Sequence, residues 1–98
     1  MNLTDLDGTH VIVEPIEVKV AVSDGMDGKL YWLTVPCLKN ELVFGVGRTK
    51  SSALEMLKEL LIKYYDDLML SNLDRYNTDT LRMIDKKRLQ RSIRARTI

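Results

Sequence analysis

The fold is decided by an alternating stretch that reads Ile16-Glu17-Val18-Lys19-Val20-Ala21-Val22-Ser23. The even-numbered positions are all β-branched and apolar, whereas most of the odd-numbered ones are polar, which is typical of a half-buried strand. Two Asp-Gly pairs follow within residues 24–28, and such pairs supply the left-handed conformations of a hairpin turn. Asp24 and Asp27 could instead bind a cation, but the turn conformation already accounts for an aspartate before each glycine. The sequence therefore predicts that the chain reverses here into a second strand, Lys29–Val35.

A third strand is predicted over Glu41–Gly47, after Pro36 has ended the second one. Gly45 and Gly47 weaken this strand and indicate either a bulge or a close approach of another backbone. Cys37 lies between the second and third strands, either as a small buried hydrophobe or as a partly exposed thiol. The three consecutive strands predict an antiparallel meander.

The pattern becomes helical from Lys50 to about Leu70, with Thr49 at the N-cap position and Ser52 three residues later. A glycine pair before a helix also suggests a phosphate site, but a turn followed by a cap accounts for the same residues. The apolar positions form one stripe that consists of Ala53, Leu57, Leu60, Leu61, Tyr64 and Leu68, widened by Leu54, Ile62, Tyr65 and Met69.

Composition limits the class of protein. The chain has 98 residues, of which 45% are hydrophobic and 30% charged, so one small packed domain is expected and wholesale disorder is excluded. No apolar run is long enough for a membrane span, and residues 1–10 do not resemble a signal peptide. Cys37 is the only cysteine, which excludes an internal disulfide and favours the cytoplasm. The narrow stability margin of so small a domain, together with its wide apolar helix, predicts a homo-oligomer.

Residues 1–15 are expected to form an N-terminal extension or an edge strand at Val11–Val13, which Pro15 interrupts. His10 is the only histidine and belongs to this loosely patterned segment. A catalytic triad cannot be argued from it, and the Asp5/Asp7 and Asp66/Asp67 pairs lack the spacing of a calcium loop. We therefore expect no enzyme activity, no metal and no cofactor.

Charge is distributed unevenly. Residues 1–78 carry 8 basic and 12 acidic side chains, a net charge of −4, whereas residues 79–98 carry 7 basic and 2 acidic ones, a net charge of +5. A second, shorter helix is predicted after the polar linker 72–78, with Leu81, Ile84, Leu89 and Ile93 as its apolar positions. Because the basic residues surround this helix, we expect truncation after Thr78 to leave the folded body intact. The candidate binding residues are Arg82, Lys86, Lys87, Arg88, Arg91, Arg94 and Arg96.

Three uses of this basic segment remain open. It neutralises the phosphates of DNA or RNA, it contacts an acidic protein surface, or it is a solvated tail. Nucleic-acid binding of this kind is strongly salt-dependent and carries no base specificity.

Residues 16–70 resemble the HicB family of antitoxins. Asp27-Gly28 and Tyr31 match the hairpin of that family, and Val35-Pro36 matches its proline segment. The family's helix opening, Gly-x-Thr-x-x-x-Ala-Leu, is matched by a run that consists of Gly47, Arg48, Thr49, Ala53 and Leu54, and its late tyrosine by Tyr64. The matched positions that form the structural motif are Gly28, Pro36, Gly47, Thr49, Ala53 and Tyr64.

The resemblance implies a partial RNase H-like βββα layer without enzyme activity. Such proteins bind and inhibit a small mRNA-cleaving toxin, and many carry a C-terminal DNA-binding module that represses their operon. The expected fold is α+β, a three-stranded antiparallel meander packed against one long helix, with a basic C-terminal helix or tail. The expected organisation is an extension or edge strand over 1–15, a HicB-like βββα domain over 16–71, and a linker with the basic helix or tail over 72–98.

The leading hypothesis is thus a non-catalytic binding module, either an antitoxin or an orphan regulator of that fold. The second is a small nucleic-acid-binding protein that uses the basic segment, and the third is an oligomeric structural or interaction protein.

Overall fold

The computed structural model describes residues 1–70 and 80–95. Its elements, in chain order, are β1 (Asn2–Leu3), β2 (His10–Ile12), β3 (Ile16–Glu17), β4 (Lys19–Gly25), β5 (Gly28–Thr34), β6 (Phe44–Gly47), α1 (Lys50–Leu70), α2 (Thr80–Ser92) and β7 (Ile93–Ala95). The α+β class and the antiparallel β4-β5-β6 meander are confirmed. The basic segment, expected as a second helix or a tail, contains the helix α2 and the unpredicted strand β7, so a basic tail is not confirmed.

The first hairpin of the meander closes as the sequence predicts. Gly25 pairs with Gly28 across a two-residue turn, and Gly28 has a φ of 110°, which L side chains rarely adopt. The guanidinium of Arg48 donates a hydrogen bond to the Asp27 carbonyl at 2.8 Å. The turn is therefore braced by the segment that leads into α1.

The segment between β5 and β6 consists of two turns. Pro36 occupies the second position of a turn that the Leu38 amide closes on the Val35 carbonyl, a position that the fixed φ of proline favours. A further turn begins at Asn40, whose side chain accepts the Leu42 amide at 3.0 Å. The third strand consequently starts at Phe44. The sequence predicts an earlier start, at Glu41.

The helix α1 spans the predicted residues and begins with the predicted cap. The Ser52 amide donates to the Thr49 hydroxyl at 3.1 Å, and the Thr49 amide donates back to the Ser52 hydroxyl at 3.3 Å. The helix then crosses β6 at very short range, since a Cβ added to Gly45 would lie 2.0 Å from the Ala53 carbonyl oxygen. Ala53 is fully buried there, so the close approach suggested by the glycine pattern is present.

The basic segment is a structural part of the domain. Its α2 helix buries Leu89 in the same core as Leu33 and Leu57. Its last residues form β7, which contributes Ile93 to that core and pairs antiparallel with β2. Truncation after Thr78 would remove these contacts, so the expectation that it leaves the body intact is wrong. The predicted linker 72–78 lies outside the described residues.

Both N-terminal strands are short and pair over long sequence distances. β1 pairs with β3, and β2 with β7, so the predicted strand at Val11–Val13 is present from His10 to Ile12. Leu3 is buried in the common core. The N-terminal segment is thereby joined to the last described residues through β2 and β7, and to the central core through Leu3.

Candidate binding surfaces

The sheet has one face covered by α1 and an opposite face that we call the outer face. Alternation along the strands places eight side chains on it, of which five are apolar. The apolar ones are Ala21, Leu30, Trp32, Phe44 and Val46, and the polar ones are Lys19, Ser23 and Thr34. The Trp32 and Phe44 rings stack with centroids 6.4 Å apart, and Trp32 remains 40% exposed. The indole N–H of Trp32 donates to the Ser23 hydroxyl at 3.3 Å. A large aromatic side chain is thus held in place while its ring remains accessible.

His10 is positioned between two carboxylates, and the expectation that it belongs to a loose segment is wrong. Its Nε2 lies 2.8 Å from Oδ1 of Asp66 on α1, and its Nδ1 lies 3.1 Å from Oδ1 of Asp7. The Tyr65 ring packs edge-on against the imidazole, which is 8% exposed. The structure therefore places the histidine where it ties β2 to α1.

The two carboxylates change the protonation of this group. Burial opposes the charged imidazole, yet the hydrogen bonds and charges of Asp66 and Asp7 outweigh it and raise the pKa of His10 above 6.5. Desolvation likewise acts against ionised Asp7, but hydrogen bonds from His10 and Thr9 lower the pKa of Asp7 to about 2. Both ring nitrogens are engaged, so the arrangement suits a structural contact more than proton transfer to a substrate.

Asp85 is a second polar group that sequence reasoning missed. Its side chain is fully buried and accepts three hydrogen bonds, from the Lys39 amide at 2.7 Å, the Asn40 amide at 3.0 Å and the Tyr64 hydroxyl at 2.7 Å. Burial of the phenol and its hydrogen bond to Asp85 raise the pKa of Tyr64 well above 10. The carboxylate thereby connects α2 to α1 and to the turns before β6. A signal existed, because Asp85 lies four residues from Leu89 on the buried side of the helix.

The predicted basic residues fall into two groups on α2. Arg82 and Lys86 lie beside the buried side, and the Arg82 guanidinium donates to Asp67 at 2.6 Å. The exposed side of the helix carries Lys87, Arg88 and Arg91. Arg94 is exposed on β7, and its guanidinium donates to the Gln90 and Ile93 carbonyls. Arg96 lies outside the described residues.

The four apolar positions predicted for the second helix are also divided between the buried and the exposed side. Leu89 and Ile93 are fully buried, whereas Leu81 is 56% and Ile84 42% exposed. Only two of the four predicted anchors therefore hold the segment in the core, and Asp85 supplies the third contact.

Gly47, a residue of the predicted motif, contributes to packing at the start of α1. Gly47 faces the start of α1, where a Cβ would lie 2.2 Å from the Ser52 hydroxyl oxygen. Together with the reciprocal cap, this close approach agrees with the turn-and-cap interpretation of the glycines. Cys37 is half-buried.

Within residues 1–70 and 80–95, no group of three histidine, cysteine or acidic side chains has the arrangement of a metal site. In the same part of the chain, no helix is both long and apolar enough to cross a membrane. No family model, no curated protein and no solved structure matches the chain. The HicB resemblance therefore stays a hypothesis.

Proposed function

We propose that this chain is a non-catalytic, cytoplasmic protein-binding module, and that its partner docks on the outer face of the meander. The observation that carries the proposal is the exposed Trp32 ring stacked on Phe44. Tryptophan and other aromatic residues supply much of the binding energy in protein interfaces because a single ring excludes a large apolar area from water. The hydrogen bond from Trp32 to Ser23 limits the entropy that the ring loses on binding.

The HicB resemblance specifies the partner as a small mRNA-cleaving toxin, so the module would act as an antitoxin. Support comes from the elements that the resemblance requires, since the Gly28 turn, the Thr49 cap and the Ala53 contact all have the geometry that their residue types imply. The same elements serve any βββα layer, so the toxin has to be tested directly.

The test uses the product of the reading frame adjoining the gene. RNA cleavage by that product is measured in the presence of the full chain and of two variants. Trp32→Ala removes the exposed ring, whereas Leu42→Ala is a matched control, because Leu42 is 75% exposed but lies in the turn before β6. We expect the unmodified chain and Leu42→Ala to suppress cleavage, and Trp32→Ala to weaken suppression at least about tenfold, as loss of an aromatic hot spot does. Equal suppression by both variants would place the partner elsewhere.

A second candidate function, nucleic-acid binding, is favoured by the exposed cations of α2. Lys87, Arg88 and Arg91 lie within little more than one helical turn on its solvent side. If all three meet phosphates of a duplex, the slope of log affinity against log salt is about −3.

The corresponding experiment is a salt titration of binding to a random duplex. We compare the combined variant Lys87→Gln, Arg88→Gln, Arg91→Gln with a control of equal charge that carries Lys19→Gln, Lys29→Gln and Lys50→Gln, which are exposed positions outside α2. Nucleic-acid binding through α2 requires that only the first variant loses the salt-dependent affinity. Equal loss in the two variants would indicate a non-specific effect of net charge.

A further inference from the structure

The β4 strand is at one end of the β4-β5-β6 sheet, and its far edge has no partner strand among residues 1–70 and 80–95. The Val18 amide, one residue before β4, donates to the Met1 carbonyl at 2.8 Å, on the side away from β5. Backbone groups alternate between the two sides of an antiparallel strand. The amides and carbonyls of Val20, Val22 and Asp24 therefore point to the same open side as those of Val18.

The opposite edge of the sheet is protected. The Val46 amide of β6 donates to Sδ of Met56, a residue of α1, at 3.4 Å. The described part of the chain provides no such cover for β4: its residues are exposed apart from the half-buried Val20, and α1 packs over β5 and β6. An open edge of this length is a template for pairing with another strand.

We infer that the edge of β4 pairs with the same edge of a second copy of this chain, in antiparallel orientation, to form a six-stranded sheet across a two-fold axis. An open edge selects an extended backbone as its occupant, and β4 itself has the required pattern of donors and acceptors. This dimer does not depend on the proposed toxin partner.

The neighbouring residues determine the register. The chain start at Met1 already occupies the edge beside Val18, so the second copy cannot extend past Lys19. Centring the axis on Val22 places Val22 against its counterpart and Val20 against Asp24 of the second copy. The three facing pairs then form about six backbone hydrogen bonds, two for each pair. A shift in the other direction would bring the two Asp24 carboxylates to diagonal positions about 7–8 Å apart, where like charges repel.

The side chains agree with this register. Val22 is 51% exposed although it is β-branched and lies in the middle of the strand. Pairing buries it against its counterpart, and cross-strand pairs of β-branched residues stabilise sheets. The axis also brings the outer faces of the two copies side by side, so the Trp32 rings of both lie on one face of the six-stranded sheet.

The first test is the mass of the full chain in solution, measured by sedimentation equilibrium over a range of micromolar concentrations. We expect association toward twice 11.3 kDa. Val22→Pro removes an amide that faces solvent in the single chain but forms two symmetry-related bonds in the dimer, so the dissociation constant should rise about 30-fold. Val22→Thr keeps the amide and the β-branched shape and should dimerise like the unmodified chain. Circular dichroism checks that each variant is folded.

A second test does not depend on how Val22→Pro folds. In a Cys37→Ser background, Val22→Cys should form a disulfide-linked dimer under mild oxidation, since facing Cα atoms of a hydrogen-bonded pair lie about 5.5 Å apart, within the range of a disulfide. Ser23→Cys is the matched control. Its position points to the outer face and is opposite Ala21 of the second copy, so it should not cross-link efficiently.

The inference is overturned if the chain stays monomeric at every concentration. It is also overturned if Ser23→Cys cross-links in preference to Val22→Cys, or if Trp32→Ala dissociates the dimer while Val22→Pro leaves it intact. The last result would assign dimerisation to the outer face. Failure of the unmodified, dimeric chain to suppress the toxin would contradict the proposed function alone, so the two failures are distinguishable.

Discussion

The two helices are attached to the rest of the domain by opposite means. Where α1 crosses β6 at Gly45, no side chain of the strand separates the two backbones, because Gly45 leaves room for the Ala53 backbone. Where α2 meets α1 and the turns before β6, the contact is a buried carboxylate, Asp85, with three hydrogen-bond donors around it. The first contact depends on the absence of side-chain atoms, and the second on a buried acceptor that three donors surround.

This difference determines how each contact fails. A close-packed contact is disrupted by added atoms, which the surrounding backbone cannot accommodate. A polar contact is disrupted when one member is removed, because the remaining buried donors lose their acceptor. A substitution that adds atoms at Gly45 therefore tests the close-packed contact, and one that removes the carboxylate of Asp85 tests the polar contact.

The largest effect is expected for Gly45→Ala. The new Cβ would lie 2.0 Å from the Ala53 carbonyl oxygen and 2.9 Å from the Leu57 amide, and both atoms belong to the helix backbone. We expect a loss of more than about 4 kcal/mol in the free energy of unfolding, measured by denaturant titration. Gly8→Ala is the control, since an added Cβ there meets no atom within 4 Å and should change stability by less than about 0.5 kcal/mol. A small effect at Gly45 would mean that α1 lies farther from β6.

The polar contact is tested by Asp85→Ala. This change leaves the Lys39 and Asn40 amides and the Tyr64 hydroxyl without their acceptor, and we expect a loss of about 3 kcal/mol. Asp67→Ala is the matched control on an exposed ion pair with Arg82 and should cost less than about 1 kcal/mol. If the two variants unfold at the same denaturant concentration, Asp85 does not hold α2.

A milder version of the close-packing test is Ala53→Leu. The added side chain overpacks the contact between α1 and the sheet, where Ala53 is fully buried, at a cost of about 1–3 kcal/mol. Ser51→Leu on the exposed side of the same turn serves as control. An unchanged unfolding midpoint for Ala53→Leu would show that the helix presents another face to the sheet.

The smallest effect concerns the pH dependence at His10. Its pKa is raised in the folded state, so its stabilising contribution is complete below pH 6.5 and is lost as the pH rises through the folded-state pKa. The stabilising contribution of Asp7 depends on pH in the opposite direction. It is present above the ordinary pKa of 3.8 and is lost as the pH falls toward the folded-state pKa of about 2.

Thermal unfolding measured between pH 5 and 9 would check this prediction, with these limits chosen as roughly two units on either side of an ordinary histidine pKa. The melting temperature of the unmodified chain should fall with rising pH across that range more than that of His10→Gln. Parallel curves for the two proteins would contradict a stabilising protonated imidazole.

Much of the fold between residues 16 and 70 was predictable because its signals are local. The alternation after Ile16, the glycine turn and the cap at Thr49 each act within a few residues, and α1 has the predicted bounds. Alternation did not predict that Val22 is exposed, since its burial depends on how far α1 extends over the sheet. The outer face was likewise not identified as a surface, because the strand pattern does not show which face a helix covers.

The sequence by itself determined the strand order of the meander, the extent of α1 and the small residues at their contact, since periodicity and backbone conformation depend on near neighbours. The tertiary structure alone decided the roles of His10 and Asp85, whose partners Asp66 and Lys39 lie 56 and 46 residues away. It also decided that the basic segment forms part of the core through Leu89 and Ile93. The spacing of Asp85 from Leu89 indicates that the two share a side of the helix, but near neighbours do not identify partners this distant. The contacts of His10 and Asp85 therefore become visible only when the chain has folded.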